Sequence, residues 1–372
     1  MGTLVKTGRL TSFMLSCAGL LSLAVPAHAA EKRSLEAEFD SFFKVSKAIS
    51  AKSAVSAAAK PKTTAAVPLV ALEPVRPAFT KPATASPAYT NSLEASVAAL
   101  ADASRGRIGV AAIDLQTGRS VSVLGDQPFP LASTSKIAIV ATFLAGVDDG
   151  KYKLYDQYPL MVPVPSKRFS SAVAPVRPGM KMSALSLIEA AITRSDNHAT
   201  DALLAAVGGP AVVTRWVREN TGITEFRLDR DIATLVRDDG AVNPALSIDR
   251  RDSVTPMAMV RLLTGLKEGR WLSPQSNQVL LGAMSRTVTG RHRMKSLLPE
   301  GTSVAHKTGT LNNVASDVGF IRTAEGRELA VAIYVTGQGG KPQRDARIAQ
   351  LARAIYDGYL AESSGQRRAA LR

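Results

Sequence analysis

Cysteine is almost absent: the one residue of this type is Cys17. It falls within an N-terminal stretch that reads as an export signal. Lys6 and Arg9 supply a positive start, Phe13 to Val25 an apolar centre, and Ala27-His28-Ala29 a small-x-small cleavage site. Cleavage after Ala29 removes Cys17, so the mature chain is expected to form no disulfide, metal thiolate or cysteine nucleophile in any redox compartment. The apolar centre is too short to anchor the chain across a bilayer. Met14-Leu15-Ser16 matches a lipidation signal poorly. The chain also lacks an internal repeat and any basic helix or aromatic-interleaved basic motif. Its net charge of +15 is scattered rather than clustered, so nucleic acid is not expected as a partner. The excess charge suits a loose attraction to an anionic surface such as a cell envelope. The expected location is the periplasm or envelope, and the expected state is a monomer.

Bulky apolar residues are sparse from about Ser50 to Thr90, where Ala, Pro, Lys, Thr and Ser dominate. Such a segment cannot bury enough surface to offset its ordering entropy and reads as a linker. Before it, Leu35, Phe39, Phe42, Phe43 and Ile49 fall close to one helical face. The expected organisation is a signal peptide over 1–29, a linker over 30–90, one globular region over 91–361 and a basic tail over 362–372.

Within the globular region, Leu93 to Ala103 has helical periodicity. Ile108 to Leu115 and Ser120 to Leu124 read as a hairpin turned at Gln116-Thr117-Gly118. Helices follow at Ser133–Val147, Leu185–Thr193, Ala199–Val207, Ala211–Glu219, Pro256–Leu266 and Pro274–Met284, with Gly208-Gly209-Pro210 as a break. Strands at Ser303–Lys307, Ala315–Arg322 and Glu328–Tyr334 precede a closing helix, Asp345–Leu360. Strands, then helices, then strands and a helix imply a mixed domain built from both chain ends, about 91–153 and 290–361, with a helical part of about 154–289 between them.

Three short motifs can carry chemistry. Ser133 and Lys136 stand three apart at the start of an apolar helix and share a face. A serine needs a base to become a nucleophile, and a lysine can serve once burial or nearby positive charge lowers its pKa. Ser195, Asp196 and Asn197 lie between two helices. A hydroxyl there can relay a proton and a carboxamide can bind an amide, although all three residue types are also common helix caps. Lys307-Thr308-Gly309 ends an expected edge strand. There the lysine and threonine can bind a carboxylate while a following N–H faces an oxyanion. Singly each motif is cheap: Ser41 to Lys44 repeats the first pattern and Lys6-Thr7-Gly8 the third. His198 and His306 flank motifs and are read as packed or solvent-facing.

Together, in this order and context, the three motifs resemble the class A β-lactamase family over about Asn91 to Leu360. Arg227-Leu-Asp-Arg230 and Arg251-Asp-Ser-Val-Thr-Pro256 resemble the two ends of that family's omega loop. The resemblance implies an α+β fold, with an antiparallel sheet flanked by helices, an all-α domain and an active site between them. It implies Ser133 as acylated nucleophile, Lys136 as proton acceptor or relay, and Ser195 as proton donor to the β-lactam nitrogen. Asn197 would hold the substrate amide, Lys307, Thr308 and Gly309 would form the carboxylate-binding strand, and the N–H groups of Ser133 and Thr310 the oxyanion hole. No cofactor and no metal are implied.

Two expected residues are missing. The resemblance places a glutamate at Ile232 and an asparagine at Val236, the pair that holds and activates the deacylating water. Between Glu225 and Glu268 there is no glutamate, only Asp229, Asp231, Asp238, Asp239, Asp249 and Asp252. Asp229 and Asp252 resemble the loop's own arginine anchors, which leaves Asp231 as the first candidate for a substitute base. Three readings follow. The protein is a β-lactam-opening serine hydrolase with an unusual or slow deacylation, a D,D-peptidase-like acyl transferase acting on peptidoglycan peptides, or a β-lactam-binding sensor that stays acylated.

Overall fold

The two ends of the described region meet in one antiparallel sheet. The computed structural model describes residues 92–103 and 105–370; the expected signal peptide, the helix at Ser34–Ile49 and the linker lie outside them. After α1 (Ser92–Ala101), β1 (Ile108–Asp114) and β2 (Ser120–Val123) form the expected hairpin. Late in the chain come β8 (Ser303–Leu311), β9 (Val314–Arg322) and β10 (Glu328–Thr336), followed by α9 (Lys341–Ala370). The strand order is β2-β1-β10-β9-β8, and β1 pairs β10 from Ile108↔Val335 to Asp114↔Leu329. β10 is buried along nearly its whole length because helices cover both faces of the sheet, so it reads as an unbroken apolar run. On one face α1 and α9 close a core that includes Leu93, Val97, Ile108, Val331, Ile333, Leu351, Ile355 and Tyr359. α9 extends to Ala370, so the tail expected from residue 362 begins as part of a helix.

The intervening part is mainly helical. It contains α2 (Lys136–Asp148), α3 (Ala184–Thr193), α4 (Asn197–Val207), α5 (Pro210–Thr221), α6 (Ile232–Arg237), α7 (Pro256–Lys267) and α8 (Pro274–Ser285). α2 is buried all round from Lys136 to Leu144, the mark of a central helix. α7 packs on the second face of the sheet, against β1 and β10. A hairpin of β4 (Gln157–Pro163) and β5 (Val176–Ser183) adds a second sheet.

A third, small sheet positions the loop that follows α5. β3 (Phe129–Pro130), β7 (Ser253–Val254) and β6 (Phe226–Arg227) pair in the order β3-β7-β6. The two ends of the omega-type loop are thereby stitched to each other and to the chain just before Ser133. Leu131 N–H adds a bond to Asp252 C=O at 2.8 Å. Among the described residues no helix is long and apolar enough to cross a membrane.

Candidate active site

The turn carrying Ser133 is a 3₁₀ helix, Ala132–Ser135, running directly into α2. The α-helix expected from Ser133 therefore starts three residues later. Residues three apart stay on one side of the chain in a 3₁₀ turn, so Ser133 and Lys136 keep the shared face that the sequence implied. Ala132, just before the nucleophile candidate, adopts φ +46°. Left-handed backbone at an alanine is strained and persists only where its surroundings enforce it. Gly309 is part of that enforcement. A Cβ at Gly309 would lie 3.0 Å from Ala132 Cβ and 2.3 Å from Ser316 Oγ, so only glycine lets β8 lie this close to the turn.

Lys136 is fully buried, and its Nζ points at the start of α4. It donates to Ser195 C=O at 2.7 Å, Asn197 Oδ1 at 2.8 Å, and Ser195 Oγ and Asp196 C=O at 3.3 Å. Burial pulls its pKa down to about 7, against the opposing charges of Asp196 and Asp201. Asp196 itself caps α4, its Oδ1 accepting Ala199 N–H at 2.7 Å. One residue of the second motif is thus a cap, as its type suggested, while its neighbours face Lys136. Ser195 sits at φ +61°, a second strained position.

Lys307 approaches from the opposite wall. β8 is the last strand in the sheet order and runs on to Leu311, so the Lys-Thr-Gly motif lies within an edge strand rather than at its end. Lys307 Nζ donates to Ser195 Oγ at 2.9 Å. Burial is the main force lowering the Lys307 pKa well below its usual range, with Lys136 adding to it and Asp317 opposing. Ser195 Oγ therefore accepts from two lysines. A hydroxyl has two acceptor positions and one donor, so its own proton remains available to a third group.

Beyond the lysine, Thr308 Oγ1 and Thr289 Oγ1 are 2.7 Å apart. Arg293 braces the strand from within, donating to Gly309 C=O at 2.8 Å, Ser316 C=O at 2.9 Å and Thr310 Oγ1 at 2.7 Å, while Asp345 holds its Nε at 2.7 Å. His306 is packed, with Nδ1 2.8 Å from Asp317. The sequence motifs did not reach Thr289 or Arg293, since neither falls in a periodic or motif position.

The loop has a different character. Asp252, buried, accepts N–H bonds from Asp229 at 2.8 Å and Arg230 at 3.0 Å and pairs with the Arg230 guanidinium at 2.5 Å. Asp229 pairs with Arg227 at 2.7 Å and Asp249 with Arg251 at 2.7 Å. Asp231, expected as the substitute base, is placed instead as the N-cap of α6, its Oδ1 accepting Thr234 N–H at 2.7 Å. Asp238 is bound by Arg237 at 2.8 Å and by Phe169 N–H at 3.3 Å. Asp239 receives Asn312 N–H at 2.9 Å. Every aspartate of the loop is thus engaged in holding it. Ile232 is packed inside at 2% exposure, and Val236 points outward at 51%.

A carboxylate the sequence motifs overlooked lies one turn beyond Asn197. Asp201 is buried and accepts Ile232 N–H at 2.7 Å and Ala233 N–H at 2.8 Å. Burial raises its pKa to about 7, partly opposed by those two bonds and by Lys136. Its only sequence signal is a charge four residues after Asn197 on the otherwise apolar face of α4.

A sheet made by both ends of the described region, a helical part, and Ser133 and Lys136 meeting Ser-Asp-Asn and Lys-Thr-Gly define a serine hydrolase of the β-lactamase type. The model of the β-lactamase enzyme family matches residues 92–359, and the chain belongs to that family. A curated β-lactamase of Proteus vulgaris is 31% identical over 257 residues, covering 67% of this chain and 88% of that protein. Among solved structures, an ancestral class A β-lactamase reconstructed for Gram-negative bacteria is 35% identical with TM-score 0.61, covering 72% of this chain and 99% of its own. A β-lactamase from Xanthomonas campestris is 27% identical with TM-score 0.61, covering 72% and 97%. The fold class expected from the sequence is the one observed.

Proposed function

We propose that the protein opens β-lactam rings by forming an acyl-enzyme on Ser133, and that release of the acyl group is slow. The observation that carries the first part is the placement of Ser195 Oγ between Lys136 and Lys307. In acylation Ser133 Oγ bonds the carbonyl carbon while its proton passes to Lys136. The ring C–N bond then breaks, and the nitrogen takes the Ser195 proton. Lys136, 3.3 Å from Ser195 Oγ, returns the first proton to it and is neutral again. The N–H groups of Ser133 and Thr310 hold the developing oxyanion, Asn197 holds the substrate amide, and Lys307 with Thr308 binds the substrate carboxylate.

The second part rests on the loop. A general base must stand within about 3 Å of its proton, directly or through one water. Ile232 offers no acceptor, and each loop aspartate already serves a cap, an arginine or a backbone amide. Losing one general base typically slows a step by ~10²–10⁴. The same engagement favours a second reading, a D,D-peptidase-like acyl transferase on peptidoglycan peptides, which uses the same groups and needs no loop carboxylate. The export reading also suits either substrate, since both occur at the cell envelope.

The test is turnover of a chromogenic cephalosporin by the purified mature protein and by Ser133→Ala, alongside release of D-alanine from a D-Ala-D-Ala peptide. Cephalosporin opening lost in the variant supports the first reading. Peptide cleavage without cephalosporin opening would replace it with the second.

A further inference from the structure

The β4–β5 hairpin has no part in the scheme above, yet its composition stands apart from the rest of the chain. From Gln157 to Ser183 it carries Lys167, Arg168, Arg177 and Lys181 and no acidic residue. The nearest carboxylates along the chain are Asp156 before it and Glu189 after it. All four basic residues are exposed. Val164, Phe169, Val173, Val176 and Met180 are exposed too, almost half of the large apolar side chains that the described residues leave open to solvent. Single exposed apolar residues are ordinary, but their concentration in one element marks an interaction surface.

β4 packs on α4, which leaves β5 outermost, with Val176, Arg177, Met180 and Lys181 open to solvent. The omega loop holds the connection between the two strands in shape. Phe169 N–H donates to Asp238 Oδ1 at 3.3 Å, Arg237 to Ser171 C=O at 2.9 Å, and Ala174 N–H to Thr234 Oγ1 at 2.7 Å. Phe169 adopts φ +55° while its side chain is 58% exposed. A left-handed backbone at a bulky residue is strained, and here it presents an aromatic ring to water. A side chain presented by a fixed backbone loses little freedom on docking.

Charge and edge chemistry decide the occupant. A symmetric contact with a second copy would set basic hairpin against basic hairpin. The segment 50–90 is basic as well, with Lys52, Lys60, Lys62, Arg76 and Lys81 against Glu73. An added protein strand would meet Pro159 and Pro163 in β4 and Pro178 in β5, positions with no N–H to share. An anionic lipid surface needs no strand ladder. Basic side chains meet its headgroups while aromatic and aliphatic ones enter the acyl boundary. We propose that the β4–β5 hairpin docks the protein on an anionic lipid surface, with Phe169, Val173 and Met180 entering the interface and Arg177 and Lys181 binding headgroups. The net charge of +15 draws the chain to any anionic surface; the hairpin fixes which face meets it.

The test is co-sedimentation of the mature protein with vesicles of phosphatidylglycerol mixed into phosphatidylcholine, against phosphatidylcholine alone. Wild type is expected to pellet with the anionic vesicles only. Arg177→Glu/Lys181→Glu is expected to bind at least ~30-fold more weakly, since each basic residue near the surface contributes about fivefold. Val173→Ser/Met180→Ser, which changes no charge, is expected to cost ~10-fold. Arg215→Glu/Arg218→Glu makes the same charge change on exposed residues of α5 and is expected to stay within about threefold of wild type. Equal loss in the two charge-reversed pairs would show net charge acting alone and overturn the proposal. Equal binding to both kinds of vesicle, or binding to neither, would overturn it too. Self-association of wild type that Val173→Ser/Met180→Ser abolishes would give the face to a second copy instead.

A gain of signal covers variants that fail to fold. Phe169→Trp is expected to show emission that shifts to the blue with anionic vesicles and is quenched by brominated acyl chains. Wild type, with Trp216 and Trp271 only, is expected to show neither change. Emission from Phe169→Trp that ignores the vesicles overturns the proposal, whatever the protein does with a β-lactam.

Discussion

Lys136 is the residue on which the chemistry turns. It is a fully buried amine, pulled to about pKa 7 by desolvation, with Asp196 and Asp201 holding it from falling further. Below that pKa the protonated form dominates and cannot accept the Ser133 proton. The acylation rate is therefore expected to fall about tenfold per pH unit on the acid side of 7 and to level off above it, read by stopped-flow mixing with a chromogenic cephalosporin. Lys136→Arg is expected to abolish the burst, because a guanidinium stays charged throughout this range. Asp231 presents the opposite case. As the cap of α6, Asp231→Asn keeps an equivalent capping oxygen and removes only the charge. The rate of acyl release in that variant is expected to stay within about twofold of wild type, on the proposal that the carboxylate caps α6 and does not prime the water. A release slowed a hundredfold would return Asp231 to the role of base.

At the scale of elements, the loop is built as a clamp. Its stem pairs with β3, Asp252 collects Arg230, and Thr234 Oγ1 of α6 accepts Ala174 N–H at 2.7 Å from the β4–β5 connection. Asp252→Ala leaves Arg230 half-buried without its main partner and is expected to cost roughly 3 kcal/mol, seen as a lowered melting temperature. The helices were legible in the sequence because each carries an apolar stripe bounded by a proline, glycine or capping residue, as Pro256 and Pro274 show. The β4–β5 hairpin was not. Its sequences, QYPLMVP and VRPGMKMS, are interrupted by prolines and bury only Leu160 fully, so no alternation marks them. α6 was hidden for another reason. Six residues are too few for a period, and its N-terminus is fixed by Asp201 from a distant helix. The motif residues were legible as a set because their chemistry demands particular types at short spacing. Asp201 and Arg293 act across elements, and only the fold brings them near the site.

At the scale of the molecule, the sheet core depends on the last helix as much as on the first strands. Ile348, Leu351, Ile355 and Tyr359 of α9 pack with Ile108 and Val110 of β1. Truncation after residue 340 is expected to yield insoluble protein, whereas removal of residues 1–90 is expected to leave the acylation rate unchanged; expression and burst kinetics read the two. The chain is proposed to form an acyl-enzyme on Ser133 and to release it slowly. The most direct test is the intact mass of the mature protein through time after mixing with a β-lactam of known mass. One added ring-opened β-lactam, mapped to Ser133, persisting while free substrate is slowly consumed, and absent in Ser133→Ala, is the predicted result. Rapid hydrolysis with no adduct accumulating, or an adduct that survives Ser133→Ala, would contradict it.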